Sequence, residues 1–306
     1  MTTGRAVLIA GPTASGKSAA ALELAERLRA TVINADSMQV YSELSVLTAR
    51  PSSADQARVP HRLYGHVSVR QRYSAGRYQD EAAAALAEAR DAGRIAIFVG
   101  GTGLYFDVLT KGLSPIPPVP PEIRSAVRQR FETMGRELFF AELAERDPAI
   151  VSKLRVSDTQ RILRAADVLE GTGRSLSEWQ ERSGKPVLAG LQVARFVIAP
   201  PREILSERTG RRFEAMVRQG ALEEAKALIG LDPAASAAKA LGLRELWRHL
   251  NGEIDLDTAI AEAQLATRRY VKRQLTWFRN RMKDWHWIGS AEGFGNFITK
   301  NNHEYS

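Results

Sequence analysis

The chain has 306 residues, 44% of them hydrophobic, and a formal net charge of +8, so it can bury a large core and can attract a polyanionic partner. The absence of cysteine excludes disulfides, thiolate metal sites and a thiol nucleophile. No apolar run approaches the roughly 20 residues that cross a bilayer, and the first strand begins too early to leave room for a signal peptide. These features predict a cytoplasmic protein without a membrane segment.

The first predicted element is an apolar strand at residues 6–10, followed by the pattern G-x-x-x-x-G-K-[ST] and then by apolar residues at helical spacing. In this strand–loop–helix context the pattern predicts a phosphate cradle built from backbone N–H groups, a helix N-terminus and a lysine ammonium. A hydroxyl at its end can bind Mg²⁺. The residues of this phosphate-binding loop are Gly11, Pro12, Thr13, Ala14, Ser15, Gly16, Lys17 and Ser18.

Two more apolar runs predict strands that end close to this loop. Residues 31–35 lead into Asp36, and residues 95–99 lead into the glycine-rich segment 100–103, after an alanine-rich helix at 80–91. Near-continuous apolar strands that alternate with helices are typical of a parallel sheet covered on both faces. Because ligands bind at the carboxyl ends of such strands, the sequence predicts one site formed by three strand ends.

The pattern changes at residues 114–121, where five prolines exclude a helix or a central strand. Residues 122–184 then have a helical pattern, and a strand pattern returns at 194–199. We therefore predict an α/β fold with a P-loop-type parallel sheet core, flanked by helices and interrupted by a small inserted helical domain. The predicted parts are a first core segment at 1–114, the insertion at 115–190, the resumed core at 191–289 and a loosely ordered tail at 290–306.

Within the resumed core, the longest predicted helix runs from about 257 to 284 and carries seven basic and no acidic residues between Arg268 and Lys283. Aromatic residues are interleaved with them. A solvated helix face usually alternates the sign of its charges, so the uniform sign favours contact with a nucleic-acid backbone.

These patterns do not determine which reaction the phosphate-binding loop supports. The strand at 95–99 ends in glycine, whereas an NTPase normally has an aspartate there for the Mg²⁺ shell. Asp36 could supply that shell or act as a base. A small-molecule or nucleotide kinase is therefore one hypothesis, and a non-catalytic RNA-binding protein is another.

Several segments together resemble the tRNA dimethylallyltransferases, also called tRNA isopentenyltransferases, and they follow the order of that family from residue 6 to about 288. They are residues 11–18, 36–41, 100–105 and 158–164, Arg208 with 212–213, and Gly242 with 272–279. Leu243 departs from the family, which commonly has an aromatic residue there, and no zinc-binding extension is seen, as in the bacterial type. The resemblance implies transfer of a dimethylallyl group from dimethylallyl diphosphate to the exocyclic 6-amino group of an adenosine beside the tRNA anticodon. Transfer of the same group to free AMP as the acceptor is disfavoured, because a mononucleotide needs neither the insertion nor the basic stretch.

The resemblance also implies roles for individual residues, together with Mg²⁺ as the metal and the anticodon stem-loop of tRNA as the partner. We expect the protein to be a monomer. Asp36, Thr102 and Lys17 are the implied catalytic residues. The phosphate-binding loop and Arg212 would hold the diphosphate, and Ser18 would hold the metal. The implied tRNA-binding residues are Asp36, Ser37, Met38, Gln39, Thr102, Gln160, Arg161, Ile162, Leu163, Arg164, Lys239, Gly242, Arg244, Lys272, Arg273, Gln274, Thr276, Trp277 and Arg279.

Overall fold

The structure is a computed structural model that describes residues 4–182 and 184–300, and within them six strands form one parallel sheet in the order β3-β2-β4-β1-β5-β6. The strands are β1 Arg5–Ala10, β2 Thr31–Asn34, β3 His61–Arg62, β4 Ala96–Gly100, β5 Gln192–Ile198 and β6 His286–Ile288. The predicted parallel sheet is confirmed. The strand pattern did not reveal β3 and β6, because these edge strands have only two and three residues, too few for a pattern.

The sheet belongs to a compact unit formed by the described residues up to 110 and from 187 onward. The helices before the interruption are α1 Lys17–Leu28, α2 Ser53–Arg58, α3 Ala75–Asp91 and α4 Gly103–Lys111. Those after it are α10 Arg202–Met216, α11 Leu222–Ala227, α12 Leu243–Leu250, α13 Leu256–Arg281 and α14 Ala291–Lys300. None of the helices in the described ranges combines the length and the apolar character that a membrane span requires.

Two of the apolar clusters among the described residues hold the sheet and the segment after β2 in place. One lies on the sheet and includes Ile9 of β1, Leu24 of α1 and Phe196 of β5. The other joins the segment after β2 to α10 and α12, through residues such as Tyr41 and Phe213. Because the segment after β2 is fixed by this second cluster, the end of β2 and the face of α10 are held against each other.

The structure differs from the predicted loose tail over residues 291–300, which form α14. Phe294 and Ile298 are each only 2% exposed and belong to the cluster on the sheet, where Phe294 meets the ring of Phe196 edge-on. Burial of these side chains outweighs the low helix propensity of the two glycines in the segment. The predicted tail also covers 301–306, which lie outside the described residues.

A second compact unit comprises residues 111–186 and contains α5 Pro121–Met134, α6 Arg136–Arg146, α7 Pro148–Val151, α8 Thr159–Thr172 and α9 Leu176–Gln180. Pro121 occupies the first turn of α5, where its missing N–H removes no helical hydrogen bond. The core of the unit includes Val127, Phe139 and Ile162. The unit has its own hydrophobic core, as a separately folded insertion requires.

Candidate active site

The phosphate-binding loop turns from β1 into α1 with a backbone that favours glycine. Gly16 has a φ of 86° and Ala14 a φ of 65°, both in the left-handed region. A Cβ on Gly11 would lie 2.6 Å from Ser15 Oγ and 2.7 Å from the Ile198 carbonyl oxygen, so no larger residue fits there. Ser15 Oγ is buried and has no hydrogen-bond partner within the described part of the chain. These features belong to a loop closed tightly around a ligand site.

Lys17 begins α1 and reaches back across this loop. Its ammonium donates a hydrogen bond to the Pro12 carbonyl oxygen at 3.2 Å. Although the side chain as a whole is only partly buried, loss of hydration lowers the pKa of Lys17 to about 8, with Asp36 acting to raise it and Arg212 to lower it further. Because the loss of hydration destabilises the charged form of Lys17, a bound anion would stabilise it.

A cleft of about 890 Å³ opens over the loop and is closed on its far side by α10. Ser18, which is exposed, contributes to the wall on the loop side, and Arg208 and Arg212 contribute from α10. The cleft therefore combines a helix N-terminus, an ammonium and the guanidinium groups of Arg50, Arg208 and Arg212, which is a donor set that suits a diphosphate.

Arg212 lies between this cleft and a second cavity of about 310 Å³, and it lines both. Its Nη2 donates to the Thr48 carbonyl oxygen at a long 3.5 Å, and its Nε is buried without a partner among the described residues. Burial lowers the pKa of Arg212 and the nearby Asp36 raises it. A guanidinium with unused donors between two cavities fits an anion that spans their junction.

The second cavity, which we call the apolar pocket, has mostly hydrophobic walls and a few charged groups. Asp36 lies at the end of β2 in this pocket, together with Arg212 and Arg273. The apolar part of its wall is formed by Met38, Leu47, Phe213, Met216, Leu241 and the ring of Tyr270. The sequence did not indicate Leu47, Met216, Leu241 or Tyr270, because an apolar residue that lines a pocket has the same pattern as one in a core.

The Asp36 carboxylate is held in one orientation by its own backbone. Oδ1 accepts a hydrogen bond from the Met38 N–H at 2.9 Å, and the Asp36 N–H donates to Asn34 Oδ1 at 2.8 Å. Among the described residues no donor reaches Oδ2. One oxygen therefore orients the group while the other is available to accept a proton.

The loop that follows β4 is tied to the end of β2 through Thr102. Its hydroxyl accepts a hydrogen bond from the Ser37 N–H at 2.9 Å and donates to Ser37 Oγ at 3.2 Å. A Cβ on Gly100 would lie 2.0 Å from the Ala35 carbonyl oxygen, so glycine is required for this approach. The side-chain amide of Gln39, another predicted tRNA contact, donates to the Thr48 and Ala49 carbonyl oxygens. Thr102 and Ser37 thus lie beside Asp36.

The position of Gln274 differs from its predicted role of following tRNA phosphates. Gln274 is only 5% exposed, its Oε1 accepts a hydrogen bond from the Thr13 N–H at 3.0 Å, and its Nε2 donates to the Gly101 carbonyl oxygen at 2.9 Å. Both ends of the amide are therefore used inside the protein. Because the side chain is buried, it is not presented to a phosphate at the surface.

The other predicted residues of α13 are at least partly accessible. Lys272, Thr276 and Arg279 line a cavity of about 210 Å³ between α10 and α13. The guanidinium of Arg273 lies 5.5 Å from the Tyr270 ring centroid, beside the apolar pocket. Trp277, which is half-buried, packs against Gly103, where a Cβ would lie 2.1 Å from the indole Nε1.

Three predicted tRNA contacts lie before and within α12. Lys239 lines the apolar pocket. Arg244 is exposed and donates to the Pro233 carbonyl oxygen at 3.3 Å. Gly242 begins α12 with a φ of 85°, and a Cβ there would lie 2.2 Å from the Phe213 ring. Its glycine is explained by this backbone conformation and close approach without any RNA contact.

In the inserted unit, the predicted segment 160–164 forms the start of α8. Ile162 is fully buried in the core of the unit, which corrects its assignment as a tRNA contact, and Leu163 is partly buried against the same core. Gln160, Arg161 and Arg164 are exposed. Arg161 pairs with Asp158 at 3.3 Å, one turn earlier. The helix therefore presents its polar residues, and not its apolar ones, to solvent.

We expect binding of inorganic diphosphate to the free protein to weaken above about pH 8. Because the lowered pKa of Lys17 lies near 8, its positive charge is lost as the pH rises through that value, and the anion then loses a partner. Calorimetry between pH 7 and 9.5 should give a Kd that approaches a tenfold increase per pH unit above the pKa, as for one linked proton. In Lys17→Arg this increase should disappear. An equal increase in both proteins would assign it to another group.

The sequence and the structure agree with known proteins over nearly the whole chain. A sequence model of the family described as IPP transferase matches residues 39–281. The tRNA dimethylallyltransferases of Bradyrhizobium sp. strains ORS 278 and BTAi1 are 51% and 52% identical, and the matches cover 96% and 95% of this chain and 96% of each relative. The full-length tRNA isopentenylpyrophosphate transferase of Bacillus halodurans is 29% identical, with a TM-score of 0.68 and coverage of 99% of this chain and 98% of that one. The predicted resemblance is confirmed: the chain belongs to the IPP transferase family.

Proposed function

We propose that the protein is a tRNA dimethylallyltransferase, which moves the dimethylallyl group of dimethylallyl diphosphate to the exocyclic 6-amino group of an adenosine beside the anticodon. The observation that carries the proposal is the junction of two cavities at Arg212. A cationic cleft over the phosphate-binding loop meets an apolar pocket that contains Asp36. A ligand with an anionic end and a small apolar end fits this pair.

In this assignment the phosphate-binding loop, Lys17 and Arg212 hold the diphosphate. Electrostatic stabilisation by such fixed donors grows as the C–O bond between the allylic carbon and the diphosphate breaks and negative charge develops on the leaving group. The hydrophobic wall of the apolar pocket takes the dimethylallyl chain and keeps water away from the allylic carbon.

Asp36 supplies the other half of the reaction. The amine of adenine is a weak nucleophile because its lone pair is delocalised into the ring. As the new C–N bond forms, Asp36 Oδ2 accepts the proton that the nitrogen loses, and Oδ1 stays bound to the Met38 N–H. The products are the alkylated adenosine, diphosphate and a proton on the carboxylate, which is then lost to solvent.

A Mg²⁺ ion fits this site as a partner of the diphosphate. In the described residues no three His, Cys, Asp or Glu side chains come together as a metal site, so most of the ligands would be diphosphate oxygens and water. The exposed hydroxyl of Ser18 at the start of α1 would be the protein ligand. When bound, the ion would neutralise charge on the leaving group.

The kinase hypothesis has less support. In P-loop NTPases an aspartate on a strand neighbouring the loop holds the Mg²⁺ shell. Here β4, which pairs with β1, ends at Gly100, and Asp36 opens into an apolar pocket instead. The hydrophobic walls of this pocket would bury a prenyl group.

The proposal is tested by incubating the protein and Mg²⁺ with radiolabelled dimethylallyl diphosphate and either unmodified tRNA or AMP. We expect label on tRNA alone. Comparable label on AMP would contradict the tRNA assignment. No label on either acceptor, with transfer of phosphate from ATP to a small molecule, would replace the proposal with the kinase hypothesis.

We further propose that α13 binds the tRNA backbone through its exposed basic residues, with a single copy of the chain sufficient for the reaction. Lys272 and Arg279 lie on this helix beside Arg202 and Arg268, and no acidic residue among those described lines the cavity they share. The adenosine must leave the stack of the anticodon loop to reach Asp36, at a cost of a few kcal/mol that such backbone contacts would offset.

Neutralising these residues should reduce the salt dependence of tRNA binding. Each phosphate contact that is removed lowers the slope of log K against log salt by about one unit. We therefore expect Lys272→Gln and Arg279→Gln each to flatten the slope, as measured by filter binding over a salt series. Arg211→Gln is the matched control, since Arg211 is exposed on α10 and already pairs with Glu207 at 2.7 Å. An unchanged slope for both α13 variants would exclude this face as an RNA contact.

A further inference from the structure

Gln274 connects two strand-end loops that carry opposite halves of the proposed site. Its Oε1 is bound to the Thr13 N–H of the phosphate-binding loop at 3.0 Å, and its Nε2 is bound to the Gly101 carbonyl oxygen at 2.9 Å. The amide is buried, so both bonds form in a low-dielectric environment where they resist exchange with water. The two loops also meet where the Gly11 N–H donates to the Gly100 carbonyl oxygen at 3.2 Å, and Gln274 adds a second connection further along both loops.

The two loops lead directly to the diphosphate cradle and to the carboxylate. Thr13 is followed by the turn that closes around Lys17. On the other side, a Cβ on Gly101 would lie 3.5 Å from Asp36 Oδ2, and the next residue, Thr102, is hydrogen-bonded to Ser37. A shift of the Gly101 loop relative to Thr13 would thus move the proposed base relative to the leaving group.

The side chain of Gln274 lies on the buried side of α13, whereas RNA could meet only the exposed side of this helix. Gln274 and Trp277 lie three residues apart on the inner face of α13, and both pack against the loop after β4. Lys272 and Thr276 lie on the exposed side of the same helix. The inner face is occupied by protein contacts, and only the outer face is free to meet RNA.

We propose that Gln274 is a positioning residue, which sets the separation between the bound diphosphate and Asp36 and so controls the rate of transfer without contacting either substrate. This inference rests on the proposed function. A misplacement of about 1 Å between reacting groups can lower a rate about 100-fold, while the affinity for each substrate depends on contacts that Gln274 does not make.

The first test is Gln274→Met, which keeps the length of the side chain but removes both hydrogen bonds. We expect the single-turnover rate of transfer to tRNA to fall about 100-fold, with the KM for dimethylallyl diphosphate and the Kd for tRNA within threefold of the wild-type values. Gln264→Met is the matched control, because Gln264 is on the same helix and bonds Gly210 and Glu214 away from the site. Melting temperatures measured in parallel identify a variant that has not folded.

A fall of less than threefold in rate would overturn the proposal, and so would a loss confined to tRNA affinity, which would return Gln274 to RNA binding. The wild-type protein in the same assay distinguishes failure of the proposed function from failure of the positioning role of Gln274. Absence of transfer by the wild type would overturn the proposed function, and with it this role for Gln274. Transfer by the wild type with an unaffected variant would overturn the positioning role alone.

A second test uses Gly101 and stays informative if Gln274→Met is unstable. A Cβ on Gly101 would lie 2.3 Å from Gln274 Nε2, so Gly101→Ala must displace the amide. We expect Gly101→Ala to be about 100-fold slower than wild type, and adding Gln274→Ala, which removes the clash, to cause no further loss. Two losses that multiply in the double variant would show that Gly101 and Gln274 act independently, and would overturn the proposal.

Discussion

Replacement of Asp36 by asparagine should lower the rate of transfer by a factor of 10²–10⁴, the usual range for loss of a positioned general base. Asparagine keeps an oxygen that can accept the hydrogen bond from the Met38 N–H, so the local turn is preserved. It cannot take a proton from the amine of the acceptor. The expected result is therefore a loss of turnover in the radiolabel assay, with tRNA affinity in filter binding close to that of the wild type.

Asp91→Asn serves as the control for this experiment. Asp91 is exposed at the end of α3 and lies in neither cavity of the site, so its replacement should leave both rate and affinity unchanged. If Asp36→Asn retained more than a tenth of the wild-type rate, Asp36 would not be the proton acceptor. The orientation of the amine by other groups would then have to explain the reaction.

Replacement of Lys17 by methionine should lower kcat/KM for dimethylallyl diphosphate by a factor of 10²–10³, comparable to removal of one preorganised charge-stabilising donor. Methionine has a similar length and no charge. The ammonium at this position is poorly hydrated, as its pKa of about 8 indicates, so its interaction with an anion is weakly screened. The affinity for tRNA should not change, because Lys17 lies in the cleft of the phosphate-binding loop.

The effect of Lys17→Met is measured from initial rates at varied dimethylallyl diphosphate and saturating tRNA. Lys226→Met, an exposed lysine on α11, tests whether loss of one positive charge is enough by itself. Equal losses in the two variants would mean that net charge, and not the phosphate-binding loop, controls the reaction. A kcat/KM within threefold of wild type for Lys17→Met would place the diphosphate elsewhere.

Local patterns were sufficient for the core of the site. The phosphate-binding loop is one continuous segment whose glycines have a conformational or steric reason, and Lys17 follows from its position in that segment. Asp36 could be placed because parallel strands end at the same edge of a sheet, and the apolar runs of β1, β2 and β4 predicted that sheet. Each of these inferences needs only neighbours in sequence.

The inferences that depended on which side of a helix is buried were less successful. Gln274 and Ile162 both lie on predicted helices with charged neighbours, and both turn inward, Gln274 between two loops and Ile162 in the core of the inserted unit. A polar residue on a basic helix has the same pattern whether its amide meets RNA or a backbone carbonyl. Phe294 illustrates a different error, because the glycine-containing segment around it was predicted to be a loose tail but forms a helix that packs on the sheet.

The sequence by itself determined the parallel sheet, and it predicted the phosphate-binding loop, the lysine in it and the aspartate after β2, because hydrophobic period and glycine spacing are local properties. Only the tertiary structure decided that Arg212 lies at the junction of the two cavities, that Gln274 is hydrogen-bonded to two loops, and that apolar residues from distant segments form the wall of a pocket. Those relations join residues more than 100 positions apart, and they depend on which helix faces pack together. That choice is made by burial and close packing of the whole core, which no short segment encodes.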